Sequence, residues 1–158
     1  MKRDLKQAAM QQLLTGQNRL PGFHGEWEVT TLGDLATVSA GGTPSRAREE
    51  YWGGDIPWVT TSEVDFYTIE SVEQFITTEG LANSAAKLLP PGTLLMALYG
   101  QGKTRGKIGI LGVSAATNQA CAAISLCRTV FPVFIFYSAH RCRNNGRKQL
   151  WQDPARLD

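Results

Sequence analysis

No run of apolar residues in this chain reaches the roughly eighteen that a membrane-spanning helix needs. The opening residues, Met1-Lys2-Arg3-Asp4-Leu5-Lys6-Gln7, lead into glutamines and lack an apolar signal region. A cytoplasmic protein is expected. Histidine is scarce, with only His24 and His140, and no Cys-x-x-Cys occurs, which excludes a zinc site of the usual spacing. The cysteines, Cys121, Cys127 and Cys142, are odd in number, and Cys121 among alanines reads as a small core residue. Asp55 and Glu63 lack a metal-ligand partner pattern, and His24 and His140 support no Ser/His/Asp arrangement. With no catalytic constellation, a non-enzyme is expected.

Charge of one sign is also missing. The net charge is +2, so bulk charge does not argue for a polyanion partner. Its distribution says more. From Arg128 onward six basic residues stand against two acidic ones, while the rest holds ten basic and twelve acidic. Within that acidic body, cations gather at Arg46/Arg48 and at Lys103/Arg105/Lys107. A focused basic site on an acidic body binds a polyanion locally and limits non-specific binding.

The richest segment runs from Tyr99 to Ala123. An apolar run, Thr93 to Leu98, ends in Gly100-Gln101-Gly102-Lys103-Thr104-Arg105-Gly106-Lys107. Glycines let the backbone turn sharply and approach another molecule. Lys and Arg suit phosphates, and Gln and Arg can read base edges. The composition fits a nucleic-acid-reading loop, and it also fits a solvated hairpin tip. A Walker phosphate loop is excluded: no glycine stands four or five residues before Gly102, and the text after Thr104 is strand-like.

At 158 residues the chain can form one domain with a core, plus an appendage. Asp4 to Leu14 carries a helical pattern that Thr15-Gly16 ends. Residues 17–25 read as a linker. Glu26 to Leu32 reads as a strand, Gly33 to Ala36 as a turn or helical corner, and Ala36 to Ala40 as a second strand. Gly41-Gly42-Thr43-Pro44-Ser45-Arg46 is a loop by its chemistry. Tyr51 to Val59 combines aromatics with turn residues and ends in a short strand, followed by the polar cap Thr60-Thr61-Ser62-Glu63-Val64. A short helix is expected near Thr78-Glu79-Gly80, a turn at Pro90-Pro91-Gly92, and the central strand at Leu94 to Leu98. Val130 to Tyr137 is apolar but interrupted by Pro132, and from Ser138 a poorly ordered basic tail is expected.

These motifs together resemble a target recognition domain of type I restriction-modification specificity subunits. The resemblance rests on Trp27, Leu32-Gly33, Gly41-Gly42-Thr43-Pro44-Ser45, Tyr51-Trp52-Gly53-Gly54-Asp55-Ile56-Pro57-Trp58, Thr60-Thr61-Ser62, Pro91-Gly92-Thr93-Leu94, Gly106 to Gly109, and Asn118-Gln119-Ala120-Cys121. Leu5 to Gly16 and Arg19 to Phe23 look like the end of the spacer helix and its junction with a second recognition domain. The resemblance implies an α/β (α+β) fold: a single recognition domain over 26–137 with a twisted, mainly antiparallel sheet and short helices. A spacer-helix stub over 1–16, the linker over 17–25 and an atypical tail over 138–158 complete it. Complete members are about twice as long or more, with two recognition domains and two spacer helices. A frameshift or gene fragment would explain the Arg-rich text from Ser138.

The same resemblance implies sequence-specific recognition of one half of a bipartite target in double-stranded DNA. The partners it implies are a methyltransferase (M) subunit and, through the complex, a restriction (R) subunit. A homodimer or a second half-subunit could supply the other half-site, and no membrane is involved. No cofactor is expected in this chain; S-adenosylmethionine, ATP and magnesium belong to the partner subunits. The residues expected at DNA are Thr43, Ser45, Arg46, Thr60, Thr61, Ser62, Gln101, Lys103, Thr104, Arg105 and Lys107. Bland alternatives stand beside them: turn chemistry for Thr43, Ser45 and Arg46, and core roles for Trp27, Tyr51, Trp52 and Trp58. Loop-bonding amides for Asn118-Gln119 and a solvated strand end for Glu63 and Asp65 complete these. The rival functions are a non-functional gene fragment and a generic nucleic-acid-binding module.

Overall fold

A computed structural model describes residues 5, 8, 9, 11–13, 16–19, 21, 22, 24, 30–100, 104–127 and 132–144, with side chains of the last helix described to 139. The chain divides into a unit over Met1–Thr31 and a unit over Leu32–Asp158. In the first, Leu5, Ala8, Ala9 and residues 11–13 are helical. The Gly16 N–H donates to the Leu13 carbonyl at 3.2 Å, and Gly16 has φ 74°, the left-handed conformation with which glycine closes a helix. The expected strand from Glu26 falls largely outside the described residues, and Leu32 opens a helix instead of ending that strand.

The second unit is built on two sheets. Helix α1 (Leu32–Leu35) leads into β1 (Ala36–Ala40), and β2 follows at Trp52–Val59. Next come β3 (Thr68–Ile69), β4 (Gln74–Ile76), α2 (Thr78–Ala82), β5 (Leu94–Ala97), β6 (Ile108–Leu111), β7 (Ala116–Thr117), β8 (Cys121–Leu126) and α3 (Pro132–Asn144). One sheet has the order β1-β8-β5-β6-β3, the other β4-β2-β7. Pairing is antiparallel except for β3 with β6 and β2 with β7. The mixed α/β, mainly antiparallel architecture expected of the sequence is therefore present, divided between two sheets where one was expected.

Strand β5 is the centre of the larger sheet, as its unbroken apolar text implies. All four of its residues are buried. Side chains alternate between faces of a strand, so Leu95 and Ala97 join Val59, Val64, Ile69, Leu111 and Cys121 on one side. Leu94 and Met96 join Ile108, Ile124, Phe136 and Ala139 on the other. The last two come from α3, which covers that face. Pro132 is the first residue of α3, where its missing N–H costs nothing and its fixed φ suits the helix. The helix continues to Asn144, so the poorly ordered tail expected from Ser138 is helical over its first seven residues. Burial of Phe136 and Ala139, one helical turn apart, anchors the helix without a long apolar period. Residues 145–158 lie outside the described residues.

Strand β2 is longer than expected because it contains a bulge. Trp52 and Ile56 both register on Ile76 of β4. Gly53 supplies φ 75° at the bulge, and a Cβ on Gly54 would stand 2.6 Å from the Ile76 carbonyl oxygen. Only glycine permits that approach. Helix α2 starts where Thr77 caps it: the Gly80 N–H donates to Thr77 Oγ1 at 3.0 Å. No helix among the described residues is long and apolar enough to cross a membrane.

Candidate nucleic-acid interface

The Gly-Gly-Thr-Pro loop is held on three sides. Gly41, Gly42 and Pro44 are buried. A Cβ on Gly41 would fall on the Thr117 carbonyl oxygen, and one on Gly42 would fall on the Ala85–Ala86 backbone. Trp58, 2 % exposed, donates its indole N–H to the Gly42 carbonyl at 3.0 Å. Thr43 Oγ1 donates to Gln119 Oε1 at 2.5 Å, joining this loop to the Asn-Gln pair far along the chain. Asn118 Oδ1 accepts from the Ala120 N–H at 3.1 Å, the loop-bonding role that its residue type allowed.

From that fixed loop Arg46 projects onto β2 and β4. Its guanidinium carbon lies 3.5 Å from the Trp52 ring centroid and 5.2 Å from that of Trp58. The two indoles meet edge to face, with centroids 5.0 Å apart and planes at 88°. Trp52 donates its own N–H to the Ser45 carbonyl at 3.1 Å, which fixes the platform. Arg46 Nη2 donates to Gln74 Oε1 at 2.6 Å. An open groove of about 320 Å³ follows, lined by Arg46, Trp52, Gly53, Gly54, Glu73, Gln74 and Phe75. A guanidinium over an indole contributes roughly 0.5–1 kcal/mol at an exposed site, less than the roughly 2 kcal/mol of Arg rotamer entropy, so the bond to Gln74 is needed as well to orient the side chain.

The other expected residues lie elsewhere. Thr60 Oγ1 donates to Glu63 Oε2 at 3.0 Å and stands 2.6 Å from Ser62 Oγ, while the Thr60 N–H donates to the same Glu63 oxygen at 2.7 Å. Glu63 Oε1 accepts from the Glu73 N–H at 3.0 Å. This carboxylate is a clamp between two loops, and Thr61 lies in the 3-10 turn it closes. Lys107 closes the β5–β6 hairpin, its N–H donating to the Thr104 carbonyl at 2.9 Å. Its ammonium pairs with Asp65 at 2.8 Å. Thr104 and Arg105 stand in the same hairpin turn, with Arg105 exposed. Gln101 and Lys103, also expected at DNA, lie outside the described residues, as does Trp27. Among the described residues no three His, Cys, Asp or Glu side chains are grouped to share a metal ion.

Residues 24–146 match the family described as the type I restriction modification DNA specificity domain. The chain belongs to that family. It is 30% identical over 118 residues to the type I restriction enzyme MjaIX specificity subunit of Methanocaldococcus jannaschii, a match covering 71% of this chain and 26% of that protein. The chain thus spans about a quarter of the length of the curated relatives it matches. Its fold is similar to the HsdS subunit from Thermoanaerobacter tengcongensis, with TM-score 0.62, 16% identity, and coverage of 88% of this chain and 34% of that one. It is also similar to a chain from work on complex assembly and conformational transition of the type I R-M system. There the TM-score is 0.59 at 16% identity, covering 94% of this chain and 37% of the other.

For a specificity domain the groove beside Arg46 is the notable feature, and Gln74, Glu73 and Phe75 were not among the residues singled out from sequence. Their segment carries no glycine, turn signal or cation cluster. The Gly53-Gly54 pair was the available signal, since a double glycine inside a strand marks a bulge or a close approach.

Proposed function

We propose that this chain recognises double-stranded DNA sequence-specifically, as part of the specificity subunit of a type I restriction-modification complex. In this reading it directs methyltransferase and endonuclease subunits to one half of a bipartite target. It performs no chemistry of its own; S-adenosylmethionine, ATP and magnesium serve the partner subunits. It works in the cytoplasm. Residues 1–16 form the end of a spacer helix, 17–25 a linker and 26–137 the recognition domain. Thr43, Ser45, Arg46, Thr60, Thr61, Ser62, Gln101, Lys103, Thr104, Arg105 and Lys107 provide the DNA face.

The observation that carries this reading is the family match over residues 24–146. The surface supports it: a rigid, aromatic-backed Arg46 and a cation-bearing hairpin supply base-edge and phosphate donors. The test is co-expression with a type I methyltransferase subunit, followed by mapping of methylated sites. Methylation confined to sites that share a constant half is expected. Methylation without sequence bias, or bias that persists when this chain is omitted, would overturn the proposal.

A further inference from the structure

Arg46 carries the inference that goes furthest. Lys meets phosphate as a point charge and Arg can meet it bidentately, so it is the surroundings of the fork that separate a phosphate contact from base reading. Arg46 is held three ways: its guanidinium carbon lies 3.5 Å from the centroid of Trp52, one amino group is clamped by Gln74 at 2.6 Å, and the loop behind it is buried at Gly42 and Pro44. Guanidinium has five donors in a rigid fork, and Gln74 takes one of them. Gln74 Oε1 is the accepting atom, and the amide nitrogen of this lining residue is a donor by chemistry. The array is therefore rich in donors. Glu73 lines the groove as well. A carboxylate there repels phosphate, whereas a cytosine amino group suits it. The Gly53-Gly54 bulge leaves the groove open beside the fork, since a Cβ on Gly53 would meet nothing within 4 Å.

We propose that Arg46, seated on Trp52 and oriented by Gln74, reads the major-groove edge of a guanine in the target half-site. Guanine presents two acceptors there, N7 and O6, which match a guanidinium fork; adenine replaces the second with a donor and is rejected. Gln74 is the positioning residue, and Glu73 accepts from the amino group of the paired cytosine. This inference rests on the DNA-recognition reading above.

The test is selection of duplexes from a randomised pool by the full chain, repeated with Arg46→Lys, Arg46→Ala and Gln74→Ala. The native chain should select one invariant G·C pair, and exchanging it for A·T should weaken binding about 5- to 150-fold. Arg46→Lys keeps the charge but replaces the rigid fork with a single ammonium that can still donate to guanine, so its preference at that pair should fall clearly below native while the salt dependence stays close to native. Gln74→Ala should reduce the preference less than Arg46→Ala. Undiminished preference in Arg46→Lys overturns the inference. So does Arg46→Ala weakening all duplexes equally while the salt slope drops by about one, the signature of a phosphate contact. Those results leave the DNA-specificity reading standing. A native chain that selects no sequence overturns both.

Discussion

Trp58 hydrogen-bonds the Gly42 carbonyl across 3.0 Å in the protein interior, and through this bond the Ile-Pro-Trp strand fastens the Gly-Gly-Thr-Pro loop. Both Gly42 and Trp58 are buried. Trp58→Phe keeps an aromatic ring but leaves the acceptor unpaired, so a loss of about 1–3 kcal/mol is expected in urea unfolding. Gly42→Ala puts a methyl on the Ala85–Ala86 backbone and should cost about 3 kcal/mol or more. Native stability in either variant would mean that the loop is held by other contacts.

Glu63 uses both carboxylate oxygens as acceptors, from Thr60 and from the Glu73 N–H. Glu63→Gln conserves size but turns one acceptor into a donor facing an N–H. We expect a loss of about 1.5–3 kcal/mol, read from the urea midpoint at pH 7. A neutral substitution would show that the two loops are joined elsewhere.

Lys107 is committed to Asp65, and with side chains 23% and 50% exposed the pair should contribute less than about 1 kcal/mol to stability. For DNA binding the consequence is larger. Arg105→Ala, and Lys103→Ala beside it, should each lower the salt slope by about one if they meet phosphate. Lys107→Ala should change the slope less. Asp65→Asn releases Lys107 and removes a negative charge, so tighter binding at low salt is expected. Salt titrations of the four variants check this; equal slopes throughout would remove the hairpin from the interface.

Cys121 is fully buried, and desolvation pushes its thiol from 9.0 up to about 11, against a smaller opposing hydrogen bond from Thr117. The folded state thus holds its proton where the unfolded state has lost it. Stability from this group is complete below pH 9 and is lost as pH rises from 9 to 11, by at most about 1.4 kcal/mol per pH unit. Comparing the native chain with Cys121→Ala should show a steeper decline in the native chain over that window. At pH 8 a thiol reagent should modify exposed Cys127 and spare Cys121 until the chain unfolds.

Local chemistry made much of the fold legible. Leu94 to Ala97 is apolar without a break and lies at the sheet centre; Thr77 precedes a short helix and caps it. Pro132 concealed α3, because a proline inside an apolar run reads as an interruption until it is placed at the first helical turn. The division into two sheets was hidden as well. It depends on β2 pairing with β4 and β7 and on a bulge that only the register of Trp52 and Ile56 on Ile76 defines.

The site divides in the same way. The residue types in the Gly-Gly-Thr-Pro-Ser-Arg loop, the cations of the β5–β6 hairpin and the order of the family's motifs are properties of the sequence by itself, because backbone freedom, charge and hydrogen-bonding capacity belong to each residue type. What those groups do was decided by tertiary structure. Arg46 became an oriented fork because Gln74, 28 residues away, came within 2.6 Å. Lys107 became a paired cation because Asp65 met it at 2.8 Å, and Glu63 became a clamp because the Glu73 backbone reached its second oxygen. Hydrogen bonds and ion pairs act over a few ångströms. Strand register and the Gly53-Gly54 bulge set those distances, and they are settled only when the sheets pack.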